Sequence, residues 1–390
     1  MRAFAHAALA AALVAAACGR TPPVPPAPPV AEPPPGEVES VVFLVGDAGL
    51  ALPGRSPVLE RLRLDVETWA ARLARDSAVI VLFVGDNAYP EGVHARGTPA
   101  YAEDRKHLLA QAAVVDGPAA GRYHTPAIFL AGNHDWGKDP APAGLVQLLH
   151  QDTLLDSLRA AGHDVRLLPA PGKPEAAVID VERHLRIVLL DTSWWLLGSS
   201  PREQDVLLGR IRAALRGANG RAVMMVSHHP FKSGSSHGGL VPFWKTLGVR
   251  YLLARSGALL QDLNSIPYRK LVVGMRSVFR ETGAPLVYAG GHDHALQVIE
   301  GLAPDEPAHM LVSGAASKTG RVGFTEGMRY KGARAGYMRV ETLKNGQAYL
   351  FVTAADPQYQ VCTQIDDAAL RKCMEQGVAA YETDYSARLR

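Results

Sequence analysis

The chain has 390 residues, 47% of them apolar, and a formal net charge of +3. That is enough apolar material for one large α/β domain, or two small ones, with a sizeable core. The charge is too small and too evenly spread to suggest a nucleic-acid surface.

In chain order the first element is a processing segment. Arg2 supplies a weak positive start, Ala3–Ala17 form a short apolar run, and the run ends Ala15-Ala16-Ala17-Cys18. Small residues before a single cysteine resemble the lipobox of bacterial lipoproteins, which makes Cys18 the expected lipidation site and the cell envelope the expected destination, with membrane attachment through the lipid. The alternative is an ordinary cleaved signal peptide with a chance cysteine. A membrane-spanning helix is disfavoured, because the run falls short of the about 20 apolar residues a span needs. Thr21–Pro35 is proline-rich and reads as a semi-rigid extended tether. The expected division is therefore 1–18 leader, 19–39 linker, 40–355 folded domain and 356–390 C-terminal extension.

From about Ser40 onward, unbroken apolar runs alternate with amphipathic stretches. The runs Val41–Val45, Val79–Val84, Ala127–Ala131, Ile187–Leu190, Ala222–Val226 and Leu286–Ala289 read as strands buried on both faces. Val58–Arg75 and Glu203–Leu215 read as helices with charged outer faces. His309–Ser313, Gly336–Glu341 and Ala348–Thr353 read as further strands, with Lys344-Asn345-Gly346 as a hairpin turn. After Ala354 the chain turns polar and reads as ending in a helix. The class is α/β, with sheets inside and helices outside. Cys362 and Cys373 remain as a pair once Cys18 is set aside: a disulfide in an oxidising compartment, or two free thiols.

The chemistry sits where apolar runs end. Asp47 in VGDAG, Asp86 in VGDNAY and Asn133 in GNHD each follow a strand that closes on glycine, which places the side chain at a carboxyl edge where open α/β sheets bind ligands. An acid placed there needs compensation, and a shared cation pair supplies it. His292 and His294 flank Asp293, so on extended backbone both imidazoles share a face. Histidine with carboxylate suits first-row transition metals better than calcium. Two such ions about 3.5–4 Å apart activate water and clamp an in-line phosphoryl displacement.

The blocks GD, GDN, GNHD, HHP and GHDH, in this order, resemble the calcineurin-like metallophosphoesterases. Tyr89, three residues after Asp86, narrows the resemblance to the purple acid phosphatase branch, with VGDNAYPEGV and GHDHALQ most similar to the small tartrate-resistant type. The resemblance spans roughly Val41 to Val352. It implies a four-layer α/β/β/α sandwich and two metal ions. Asp86 would bridge them. Asp47, Tyr89 and His294 would complete a ferric site, and Asn133, His228 and His292 a site for divalent iron, zinc or manganese. It also implies that His134 and His237 contact phosphate and handle protons, and that His229 lies outside the ligand shell.

The implied activity is hydrolysis of phosphate monoesters, on small molecules or phosphoproteins, by attack of a metal-bound hydroxide. Two alternatives stand beside it: a phosphodiesterase or nucleotidase of the broader family, and a phosphate-ligand-binding lipoprotein with little turnover. The chain departs from the branch in having alanine after Asp47 and a longer stretch after His237. Leu240–Arg280, with Phe243, Trp244, Lys245, Arg250, Tyr251 and Arg255, reads as a lid, a docking surface or an extra helix pair. His94, His107, His124, His163 and His184 lack motif context and are expected to be structural or exposed. Trp194 and Trp195 are expected in the core.

Overall fold

A computed structural model describes residues 29–73, 78–122, 124–235, 237 and 261–390. The leader with Cys18, most of the proline-rich linker, and 238–260 of the long stretch after His237 lie outside the described residues. In chain order the strands are β1 (Val38–Val45), β2 (Ala78–Phe83), β3 (Ala127–Phe129) and β4 (Val165–Leu167), then β5 (Ala176–Val181), β6 (Leu185–Leu190), β7 (Ala222–Val226), β8 (Val287–Gly290), β9 (Leu296–Glu300), β10 (His309–Ser313) and β11 (Met328–Gly332), and last β12 (Ala335–Leu343), β13 (Ala348–Ala355) and β14 (Glu382–Arg388). They form two seven-stranded sheets, β14-β13-β12-β1-β2-β3-β4 and β11-β9-β10-β8-β7-β6-β5.

The two sheets stack face to face, and alternation along each strand shows why. Val42 and Leu44 of β1 pack with Ile187 and Leu189 of β6 and with Met224 and Val226 of β7 in a core between the sheets. Val41, Phe43 and Val45, pointing the other way, pack under Leu62, Val66 and Trp69 of the helix Pro57–Arg72. On the second sheet Val188 and Leu190 face outward, in the same apolar core as Leu207 and Ile211 of the helix Pro201–Arg216. Both faces of each sheet are therefore covered, which is the physical reason its strands read as unbroken apolar runs. The architecture is the four-layer α/β/β/α sandwich.

Parallel pairing aligns the chemistry. β1, β2 and β3 are adjacent and parallel in the first sheet, and β7 and β8 are adjacent and parallel in the second. Their carboxyl ends carry Asp47, Asp86, Asn133, His228 and His292, so ligands far apart in sequence converge on one edge of the sandwich.

Several elements go beyond the sequence reading. The chain closes on the strand β14 and not on a helix: the helix Asp367–Ala380 is followed by Glu382–Arg388, which pairs with β13 at the sheet edge. Val30 and Glu32 of the proline-rich stretch already touch the domain, through Ser386 and Arg339. Cys362 and Cys373 are joined by a disulfide across a separation of 11 residues. Part of the long stretch after His237 is the helix Ile266–Thr282, which packs on Pro201–Arg216 through Leu208 against Gly274 and an Arg212–Glu281 ion pair at 2.7 Å. No described helix is long and apolar enough to cross a membrane.

Candidate metal centre

The seven donor side chains come together as two groups that share Asp86. In the first group the Tyr89 hydroxyl lies 3.0 Å from Oδ1 of Asp47, 3.1 Å from Oδ2 of Asp86 and 3.3 Å from Nε2 of His294. One phenol proton cannot satisfy three acceptors. Asp47, Asp86 and His294 by themselves already meet the geometry of a metal-binding cluster. In the second group Nε2 of His228 lies 3.0 Å from Oδ1 of Asn133 and 3.3 Å from Oδ1 of Asp86. Nδ1 of His292 lies 3.0 Å from the same Asn133 oxygen.

Backbone carbonyls fix which lone pairs face inward. Nδ1 of His228 donates to the Val84 carbonyl at 2.9 Å, and Nε2 of His292 donates to the Gln261 carbonyl at 3.0 Å. In the neutral rings the opposite nitrogens, Nε2 of His228 and Nδ1 of His292, are then the unprotonated ones. Both aim at the Asn133 oxygen, with a carboxylate oxygen of Asp86 beside His228. Convergence of acceptor lone pairs is repulsive unless a cation sits among them, so the donor set fits metal. A carbonyl, a carboxylate and two imidazoles suit a first-row divalent ion. Phenolate, two carboxylates and an imidazole form a harder, more anionic set.

The backbone is bent to present these groups. Asp47, Asp86 and His292 adopt left-handed φ values of 60°, 57° and 64°. Non-glycine residues seldom do so, and such strain concentrates at functional sites. Asp135 holds the bend at Asp86: its carboxylate accepts from the backbone N–H of Asp86 at 2.9 Å, of Asn87 at 2.9 Å and of Gly132 at 2.7 Å. A second chain of contacts supports the histidines. His229 turns away from the centre, with Nδ1 2.9 Å from Thr192 Oγ1 and Nε2 2.7 Å from Gln261 Oε1.

The charges respond to burial. Burial opposes charge on Asp86, but His228 and His134 outweigh it and its pKa is lowered. Burial likewise opposes charge on His228, but Asp86 and Asp47 outweigh it and its pKa is raised. Burial, with Asp47 and Asp86 alongside, pushes the Tyr89 phenol well up. A bound cation reverses that preference and favours phenolate. Burial, next to Asp86, pushes Asp135 up to about 7. Burial and the neighbouring His228 push His229 down to about 3, which keeps it neutral.

His134 and His237 flank the centre on opposite sides. His134 donates from Nδ1 to the Pro90 carbonyl at 2.5 Å, which turns Nε2 to 3.9 Å from Oδ2 of Asp86. Its ring meets the Tyr89 ring edge-on at 4.4 Å between centroids. The His237 ring lies 4.5 Å from that of His292, and its backbone N–H donates to Asp293 at 3.2 Å. Four further histidines are engaged away from the centre: His94 pairs with Asp104, His163 with Asp116 and His184 with Glu39, and His107 bonds the Ala51 carbonyl. Trp194 and Trp195 are buried.

One cation at the centre carries no sequence motif. Lys318 places its ammonium 3.2 Å from the centroid of the Tyr89 ring. It lies between two strand-like runs in Ala316-Ser317-Lys318-Thr319-Gly320, where the sequence offers no signal beyond its glycine and small residues. Asp135 has a signal inside the GNHD block itself, an acid two residues after Asn133. Lys138 adds charge to the same side as His134 and Lys318.

No family model matches the chain, and no curated protein matches it. Solved structures do share its fold. GAP50, described as the anchor in the inner membrane complex of Plasmodium, aligns at TM-score 0.53 and 14% identity over 91% of this chain and 89% of that one. The purple acid phosphatase PPD1 of yellow lupin aligns at 0.52 and 12% identity over 91% of this chain and 54% of that one. PhoD aligns at 0.50 and 9% identity over 91% and 79%. The chain shares its two-sheet fold with these structures, a purple acid phosphatase among them.

Proposed function

We propose that the protein is a binuclear-metal phosphatase that hydrolyses phosphate monoesters, with Fe(III) held by Asp47, Tyr89, His294 and Asp86, and a divalent iron, zinc or manganese ion held by Asn133, His228, His292 and Asp86. The observation that carries this reading is the orientation of Asp86. Its Oδ2 faces Tyr89 and its Oδ1 faces His228, so one carboxylate serves both donor groups. The plant phosphatase neighbour is consistent with the reading through its fold alone.

When bound, the two ions would polarise phosphate oxygens and lower the pKa of water at the centre. The chain's own residues do the rest. Asp135 and the Val84 and Gln261 carbonyls hold the donors in place before substrate arrives, so little reorganisation is needed. His134, pinned through Nδ1, directs Nε2 inward, where it can hold or release a proton at the leaving oxygen. His237 is placed to contact the phosphate from the His292 side.

The test is phosphate release from a panel of monoesters, diesters and nucleotides, set beside metal content. Monoester turnover that is lost in both Asp86→Ala and His292→Ala supports the reading. Preference for diesters or nucleotides favours a broader phosphoesterase. Two bound metals with no release from any substrate favours a binding role, a reading kept open because the Plasmodium neighbour of this fold is described as an anchor.

The same proposal extends to location. Cys18 as a lipid-bearing residue and Thr21–Pro35 as a stalk would place the domain in the bacterial cell envelope. The Cys362–Cys373 disulfide is compatible with such an oxidising compartment.

A further inference from the structure

Lys318 is held in place by the backbone of two donor segments. The Ser317 N–H donates to the Asp47 carbonyl at 3.1 Å, and the Ser317 hydroxyl donates to the same oxygen. Two residues beyond the lysine, the Gly320 N–H donates to the His294 carbonyl at 2.5 Å. The lysine is thus strapped between the two ends of the tyrosine-side donor group. Its side chain is partly enclosed, and its ammonium sits over the face of Tyr89.

An ammonium has three donors and no acceptor, and an aromatic face takes at most one of them. Among the described residues, Lys318 makes no hydrogen bond to an acceptor and no close ion pair, and Asp86 and Asp47 act on it only from beyond ion-pair distance. An enclosed ammonium with donors to spare, near the ammonium of Lys138, is arranged for an anion that arrives from outside.

We propose that Lys318 is a substrate-contacting residue on the tyrosine side of the centre, donating to non-bridging oxygens of a terminal phosphate and so favouring dianionic monoesters over diesters. This rests on the phosphatase reading above and names the charge class of its substrate. A monoester above its second pKa, about 6, carries one more negative charge than a diester. The second anionic oxygen is the one that needs a further cationic donor. A hydrogen bond to a charged group is worth about 1.5–3 kcal/mol, or roughly 10- to 100-fold in binding.

The experiment compares metal-loaded wild type with Lys318→Met, Lys318→Gln and Lys318→Arg. Three quantities are measured: metal content, inorganic phosphate affinity by calorimetry, and kcat/KM for an aryl phosphate monoester and the matching diester. The expected result is about 10-fold or greater loss of phosphate affinity in both neutral variants, with metal content unchanged and Lys318→Arg largely restored. Monoester kcat/KM falls by about 10- to 100-fold and diester kcat/KM by less than about 3-fold. Unchanged phosphate affinity in the neutral variants, or equal losses on both esters, overturns the proposal. A changed visible spectrum with unchanged phosphate affinity also overturns it, because the lysine then serves Tyr89 alone. Wild type that binds metals and phosphate but cleaves neither ester defeats the phosphatase reading, and the affinity comparison still decides the role of Lys318.

Discussion

Asp86 and Tyr89, three residues apart in the chain, meet with the tyrosine hydroxyl 3.1 Å from one carboxylate oxygen, while the other carboxylate oxygen faces His228 at 3.3 Å. Asp86 is the one donor common to both groups. Loss of even an outer-shell partner typically costs about 10- to 100-fold in metal affinity or activity, so loss of the shared ligand should cost more than about 100-fold. Asp86→Ala is expected to lose metal from both positions, whereas His292→Ala should empty mainly one. Metal content by elemental analysis, read beside phosphate release, checks the difference.

Gly85 has φ of +93°, and a Cβ there would lie 2.4 Å from Nδ1 of His228. Gly85→Ala must therefore strain the backbone and displace a donor together. It should destabilise the protein by about 2 kcal/mol or more and weaken metal on the His228 side. Urea unfolding and metal titration measure the two effects separately.

Asp191 is buried, and burial pushes its carboxyl up to about 6. It accepts from Trp136 Nε1 at 3.0 Å and from the Trp194 N–H at 2.8 Å. The folded chain holds this proton over a window in which the unfolded chain, at about 3.9, has released it. Native protein then binds more protons than unfolded, so stability falls as pH rises from about 4 to about 6 and levels off above. The stability difference between wild type and Asp191→Asn should fall across that window by up to about 3 kcal/mol. Denaturant melts at pH 4, 5 and 7 with chelator present give the slope. A difference that rises with pH contradicts the assignment.

The Cys362–Cys373 disulfide closes a loop of 11 residues that follows the main sandwich. Closing a loop of that size stabilises by about 3 kcal/mol at most. The Cys362 N–H bonds the Arg55 carbonyl at 2.7 Å, which ties the loop to the segment before the helix Pro57–Arg72 and not to the donors. Double substitution to serine should lower the melting temperature and leave metal content unchanged.

The sandwich was legible because its central strands are buried on both faces and spell themselves as apolar runs. The edges were not. β5 alternates partly exposed and exposed residues along most of its length, and β14 is polar because only one side of it is paired. The residues that converge on the centre were legible because they sit in short motifs that follow strand ends. Asp135, Gln261 and Lys318 were harder to see, since their roles depend on backbone contacts made across the fold. Gln261 reaches His292 through a main-chain carbonyl, a contact that its identity does not encode.

On the proposed function, Tyr89 is a ligand to iron in a two-metal centre. The visible spectrum and metal content of the purified protein test it most directly, with Tyr89→Phe as the comparison. The expected result is two metal equivalents, at least one of them iron, and a purple or pink band that disappears in Tyr89→Phe. A colourless wild-type protein holding two zinc or two manganese ions, with the Tyr89→Phe spectrum identical, contradicts it.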